Sequence, residues 1–392
     1  MIKIDSKTHC CGCSACVERC PKKCIRLVED NEWFMYPSVN QDLCIDCGLC
    51  DKVCPVINPP QKREPLSSQY AININDTDRL MSSSGGVFVS LARYVINNEG
   101  IIFGAVFESD FSKVIHTYTE DMDGVKPMMG SKYLQSDINS AYEHCKKCLK
   151  KGQLVLFTGT PCQIAGLKTF LGTDYSNLIT VDFICHGVPS PGIWEKYLNE
   201  YKNFFQQDFI QNISFRDKTH GWHNYGVSVT LDSTALSCAS TNKGKIFTPH
   251  RENEYMRAFL NDLCLRPICY ECPFKDGKSG SDLTLADFWG IENLYPEIDD
   301  DKGVSLVIVK TEKASELLNK TGVNHKAIKT EEALRFNPAY MCSPALPKKR
   351  NLFFKLLNKG KSITIANKKC LSPSISTRIK KKISNILYKL SH

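Results

Sequence analysis

At 392 residues, 42% of them hydrophobic, with no apolar run near the 18 or so that a membrane span needs, the chain reads as a soluble protein of two or three domains. Its 20 cysteines follow an N-terminus without the apolar core of a signal peptide, which argues against a secreted disulfide scaffold and for metal or redox chemistry in the cytoplasm. The net charge of +8 is uneven: residues 348–392 hold 13 Lys and Arg and no acid, leaving −5 on the residues before them.

The first element is a doubled cysteine run. His9-Cys10-Cys11-Gly12-Cys13-Ser14-Ala15-Cys16 with Cys20-Pro21 reads CxxCxxCxxxCP, and Cys44-Ile45-Asp46-Cys47-Gly48-Leu49-Cys50 with Cys54-Pro55 repeats it. Three thiolates two residues apart curl around one 4Fe-4S cube, and the fourth, before Pro, reaches the other cube. Crossed ligation is therefore expected: Cys10, Cys13, Cys16 and Cys54 on one cluster, Cys44, Cys47, Cys50 and Cys20 on the other, with Cys11 and Cys24 unligated. A pair of zinc knuckles is the bland alternative, but zinc needs only four ligands per site and no Cys-Pro terminus.

A ferredoxin-like module thus covers residues 1–58, and the Pro-rich, charged segment 58–65 reads as a linker. Residues 69–74 read as a strand. Ser82-Ser83-Ser84-Gly85-Gly86 then feeds a helix to Asn97, a loop that suits either phosphate binding at a helix N-terminus or plain capping by Ser84. A strand at 100–107 precedes the loop Gly130-Ser131-Lys132-Tyr133 and a helix ending near Lys151. Cys145 and Cys148 on that helix have no companion ligands nearby.

Residues 154–157 and 178–184 are short apolar strands. The first breaks at Thr158-Gly159-Thr160-Pro161-Cys162 and the second at Cys185-His186-Gly187-Val188-Pro189, each into a helix. That cadence predicts a parallel α/β layer with both cysteine loops on its ligand-binding edge. Strands follow at 213–217 and 225–231, a helix at 253–262, and the knuckle Cys269-Tyr270-Glu271-Cys272. Asp287-Phe288-Trp289-Gly290 comes next, before an apolar strand at 304–309. Three readings of the later cysteines stand side by side. Cys162, Cys185, Cys269 and Cys272 meet as a third 4Fe-4S site, provided the two strands are neighbours. Otherwise Cys162 and Cys185 are simply buried, or zinc sits on Cys264, Cys269 and Cys272.

Ser83-Ser84-Gly85-Gly86, Gly159-Thr160-Pro161-Cys162-Gln163-Ile164-Ala165-Gly166-Leu167, Cys185-His186-Gly187-Val188-Pro189-Ser190, Phe215-Arg216-Asp217-Lys218 and the Cys269 knuckle resemble the family of coenzyme F420 hydrogenase/dehydrogenase beta subunits. The resemblance spans about residues 67–340, with the N-terminal module similar to the two-cluster ferredoxin domain often fused to such subunits. It implies a flavoprotein holding FAD and the third cluster on Cys162, Cys185, Cys269 and Cys272. It also implies flavin contacts from Ser83, Ser84, Gly85 and Gly86 and from Gly130, Ser131, Lys132 and Tyr133, with Thr158, Gly159 and Thr160 on the same edge.

The expected fold is α+β joined to α/β: the ferredoxin-like module, a flavoprotein body in regions 67–150 and 151–343, and a basic C-terminal helix within 348–392. Candidate catalytic residues are Lys132 against a reduced flavin, His186 as a proton source and Asp287 on a ribose hydroxyl. Expected partners are an electron-carrier protein or partner oxidoreductase and a hydride-carrying small molecule, the deazaflavin or another. Ferredoxin-fused members also occur in bacteria lacking the deazaflavin, several of them associated with surface polysaccharide synthesis.

In the tail, Ser372-Pro373 starts a helix with Ile375, Ile379, Ile383, Ile386, Leu387 and Leu390 on one stripe and Arg378, Lys380, Lys381, Lys382 and Lys389 around it. It suits peripheral binding at the inner membrane face or docking on the body. Nucleic acid is disfavoured, since only Tyr388 offers stacking. Two functions follow: an iron-sulfur flavoprotein oxidoreductase, or a non-catalytic subunit relaying electrons to a partner.

Overall fold

In the computed structural model, which describes residues 1–205, 209–231 and 244–372, the cysteine runs turn through left-handed residues. Ser14 (φ 61°) and Gly48 (φ 69°) precede the short helices Ala15–Arg19 and Leu49–Lys52. The strands β1 (Ile25–Glu29) and β2 (Met35–Val39) pair antiparallel beside them. Cys13, Ala15, Phe34 and Val53 of this module lie in the same apolar core as the body.

The segment read as a linker is a clamp. Asp282 is fully buried and accepts from the Thr180 amide and hydroxyl at 2.8 and 2.6 Å. A buried carboxylate needs a cation, and the Arg63 guanidinium supplies it at 2.5 Å. The Arg63 amide also donates to the Gly277 carbonyl (3.2 Å), and Lys62 pairs with Asp276 at 2.6 Å.

The body is built on an eight-stranded sheet. Its strands are β3 (Ser67–Ile72), β4 (Ile101–Phe107), β5 (Val114–Thr119), β6 (Val155–Thr158), β7 (Leu178–Phe183), β11 (Leu283–Asp287), β12 (Ser305–Val309) and β13 (Asn324–Ile328). They lie in the order β13-β3-β12-β11-β7-β6-β4-β5. The expected parallel layer holds at the centre, where β4, β6, β7 and β11 run parallel. The flanks β12, β3, β13 and β5 pair antiparallel, so the sheet is mixed. Side chains alternate between two cores with the two-residue strand period: Ile101, Phe103, Val155 and Phe157 face the module side. Ile102 and Leu156 face the other, under the helices Val87–Asn97 and Glu312–Lys320.

A smaller antiparallel sheet consists of β8 (Ile210–Asp217), β9 (Gly226–Leu231) and β10 (Lys245–Pro249).

Region 348–392 does not begin as a detached basic tail. Helices Arg350–Asn358 and Ile363–Leu371 bury Phe353, Phe354, Leu356, Leu357 and Ile363 in the main core and leave Lys355 and Lys359 at the surface. The lysines mask this apolar face in a composition count. The amphipathic stripe from Ile375 onward lies outside the described residues. Arg350 reaches back across the fold to Glu32 of the module with a two-pronged ion pair at 2.8 and 2.7 Å.

Candidate cluster and cofactor sites along one sheet edge

The strand directions bring the ends of β3, β6, β7 and β11 and the start of β12 to one edge of the sheet. At that edge Thr160 caps the helix Pro161–Leu171 through a full capping box with Gln163, with Pro161 in the first turn and Gly172 closing the helix in a left-handed turn. His116 fixes the approach to it. Its Nε2 lies 2.9 Å from the Thr158 carbonyl and its Nδ1 2.8 Å from Ser136 Oγ, and burial pushes it down to about 4, so the ring is neutral. Cys162 is thereby presented on the second residue of a rigid helix.

β6 and β7 are neighbours, the condition for Cys162 and Cys185 to meet. One cavity is lined by both, by Cys269 of the turn Pro267–Glu271 and Cys272 that caps it, and by Cys11, His186 and Lys275. The Val188 amide donates to Cys269 Sγ (3.4 Å), Thr160 Oγ lies 3.1 Å from Cys162 Sγ, and Lys275 holds the Cys185 carbonyl at 2.6 Å. Burial pushes the Cys269 thiol up to about 12. Cys264 is fully buried and is not among the residues that line this cavity. Four sulfurs around one zinc stand roughly 3.8 Å apart. Among the described residues, only His223, Glu292 and Asp299 bring three ligand atoms within 4.8 Å of one another, so no thiol trio has zinc spacing.

In the module, a second cavity is lined by Cys44, Cys47 and Cys50 together with Cys20 from the other run, as the crossed pattern requires. Cys24 joins it, its thiol 3.3 Å from that of Cys20. Amides of Ile2 and Asp46 donate to Cys50 Sγ (3.2 Å) and Cys44 Sγ (3.4 Å). Cys16 faces Cys10 and Cys54, and burial pushes it up to about 12. Cys11, which the spacing leaves aside, lies against both Cys13 and Cys162 and so sits between the first cysteine set and the body's cavity.

The body also shapes the module's first set. A Cβ on Gly166 would stand 3.0 Å from Cys13 Cβ and Sγ and from the Tyr142 hydroxyl. Gly166→Val is therefore expected to displace Cys13 and remove about four iron atoms per chain, read by iron analysis of anaerobically purified protein. Unchanged iron would show that Cys13 is not held there.

The two loops tied to flavin contact do meet: Ser83 Oγ lies 2.8 Å from Ser131 Oγ and accepts the Ser131 amide at 2.6 Å. Lys132 is half-buried and donates to the carbonyls of Met128, Met129 and Gly130 at 3.3, 3.0 and 3.3 Å, while burial pushes its ammonium down to about 7. Asp287 is fully engaged by Arg216, at 3.0 Å through each nitrogen, and by Trp222 Nε1 at 3.2 Å. His186 pairs with Asp262 at 2.6 Å and faces the third cysteine set, apart from the Ser83 loop.

Sequence reasoning assigned no role to Arg216, Tyr225 or Trp289. Arg216 stacks over Tyr225 at 3.8 Å, donates to the Ser83 carbonyl at 3.3 Å, and its buried Nε has no partner among the described residues. The Phe215-Arg216-Asp217-Lys218 string was the available signal.

Residues 152–334 match the family model for the C terminus of the coenzyme F420 hydrogenase/dehydrogenase beta subunit, and residues 9–58 match that of a 4Fe-4S dicluster domain. The chain thus resembles the C terminus of F420 hydrogenase/dehydrogenase beta subunits in one stretch and a 4Fe-4S dicluster domain in another. The chain is similar to the F component of the F(420)H(2) dehydrogenase of Methanosarcina mazei, 24% identical over 167 residues, 39% of this chain and 46% of that protein. The dicluster domain is similar to a 7Fe ferredoxin of Hydrogenibacillus schlegelii, 46% identical over 43 residues, 11% of this chain and 49% of that protein. The chain thus spans about half the length of these curated relatives. Among solved structures, the F420-reducing [NiFe] hydrogenase complex from Methanosarcina barkeri aligns over 79% of this chain and 92% of its own at 15% identity and a TM-score of 0.45. No described helix is long and apolar enough to cross a membrane.

Proposed function

We propose that this chain is an iron-sulfur flavoprotein oxidoreductase joining single-electron transfer through three 4Fe-4S clusters to two-electron chemistry at FAD. The observation that carries the reading is the cavity in which Cys162, Cys185, Cys269 and Cys272 meet beside Cys11 of the dicluster domain. Four thiols from three separate segments converging on one cavity are the ligand number that a 4Fe-4S cube takes. When bound, FAD supplies hydride exchange and the cubes supply single-electron exchange.

The chain's own residues supply position and charge. Cys10, Cys13, Cys16 and Cys54, and Cys20, Cys44, Cys47 and Cys50, would hold the dicluster cubes. The fit to FAD rests on the buried, unpartnered Nε of Arg216 and on the Ser83 and Ser131 hydroxyls beside it. Lys132 near neutrality suits a group that holds or yields a proton at its Nζ. The hydride carrier is a small molecule, the deazaflavin or another.

A specific observation favours the second reading, an electron relay without flavin. The Ser83 and Ser131 loops satisfy each other, and both Asp287 oxygens are taken by Arg216 and Trp222. Iron, sulfide and flavin counted per chain after anaerobic purification separate the two. About twelve irons with one FAD supports the oxidoreductase, and full iron without flavin supports the relay.

A further inference from the structure

Arg266 is 1% exposed, and among the described residues no carboxylate pairs with it. Its partners are the carbonyls of Cys10 (2.9 Å) and Met35 (2.6 Å), the Gln135 amide oxygen (3.0 Å) and, at 3.8 Å, Cys10 Sγ. The ring of Tyr36 stacks 4.5 Å from the guanidinium. Space for it is built in: Gly12 has φ +71°, and any Cβ there would stand 2.7 Å from Arg266 Nη1.

Burying a guanidinium among neutral acceptors costs several kcal/mol unless an anion faces it. The groups able to become anionic beside Arg266 include the thiols of Cys10, Cys11, Cys162 and Cys269, with the Tyr36 phenol. Cys10 belongs to the first dicluster set and Cys269 to the body's cavity. A cube held by four thiolates is anionic and gains one further negative charge when reduced. One fixed cation therefore faces both sites, while none of its recorded partners belongs to the set Cys20, Cys44, Cys47 and Cys50.

We propose that Arg266 is the buried counter-charge at the junction of the dicluster domain and the body, raising the reduction potential of the Cys10 cluster and leaving that of the Cys44 cluster unmoved. It is a positioning residue that acts through charge. The inference rests on the cluster reading above.

The test uses full-length, anaerobically purified protein in EPR-monitored redox titrations, with iron and sulfide counted on every sample. The Cys10 cluster is assigned as the signal lost in Cys16→Ser. Arg266→Gln removes the charge. Gln135→Glu keeps the arginine and sets a carboxylate against it, and Arg266→Lys keeps a cation. Arg266→Gln and Gln135→Glu are expected to move the Cys10 midpoint to more negative values, Arg266→Lys to restore most of the shift, and the Cys44 midpoint to stay. If Arg266→Gln does not load its iron, Gln135→Glu decides. A fully loaded charge variant whose Cys10 midpoint equals the native one overturns the role of Arg266, as does a lysine variant shifted as far as the glutamine one. Native protein without cubes overturns instead the cluster reading beneath it.

Discussion

Cys162→Ser or Cys269→Ser is expected to lower the iron of anaerobically purified protein from about twelve to about eight atoms per chain, with the dicluster signals intact. The expectation follows from topology. Parallel pairing of β6 and β7 puts Cys162 and Cys185 side by side at strand ends, and the turn Pro267–Glu271 brings Cys269 and Cys272 over them. Serine nearly matches cysteine in size but is a poor ligand to iron, so the fold persists while the site empties. Cys264→Ser is the control: more deeply buried than either but outside the cavity, it leaves iron unchanged. Native protein holding about eight irons would end the idea of a third cluster.

Arg350→Ala is expected to destabilise the chain by about 3–5 kcal/mol, since it breaks a buried ion pair and strands one partner. Arg350 is 6% exposed and Glu32 15%, and they meet at 2.8 and 2.7 Å. The same guanidinium donates to the Leu265 carbonyl at 2.9 Å and to the Tyr270 hydroxyl at 3.1 Å. Losing it unties the module and loosens the turn that carries Cys269. Urea unfolding with the clusters loaded measures the loss, and Glu32→Gln, which keeps hydrogen-bonding capacity, should lose less. A drop under about 1 kcal/mol would class the pair with ordinary surface ion pairs.

What the sequence could reveal depended on how local each cause is. The cysteine runs are legible because a cube dictates short spacing. The capping box at Thr160 and Gln163 is legible because both partners lie within one turn. The Arg216 pair with Asp287 spans 71 residues and the Arg350 pair with Glu32 spans 318, and no local pattern encodes either. β13 escaped because its Asn324-His325-Lys326 start is polar, as suits an edge strand. Cys11 looked idle because its relevance comes from Cys162, on a helix far along the chain.

Arg63 on Asp282 and Arg350 on Glu32 lash the N-terminal lobe to the rest at two points. Such a lobe is no swinging arm that ferries its cargo between stations. On the proposed reading charge hops over stationary stepping stones, and a visiting carrier touches down beside Cys47, which among the described residues is the one exposed thiol of the eight assigned to the dicluster cubes.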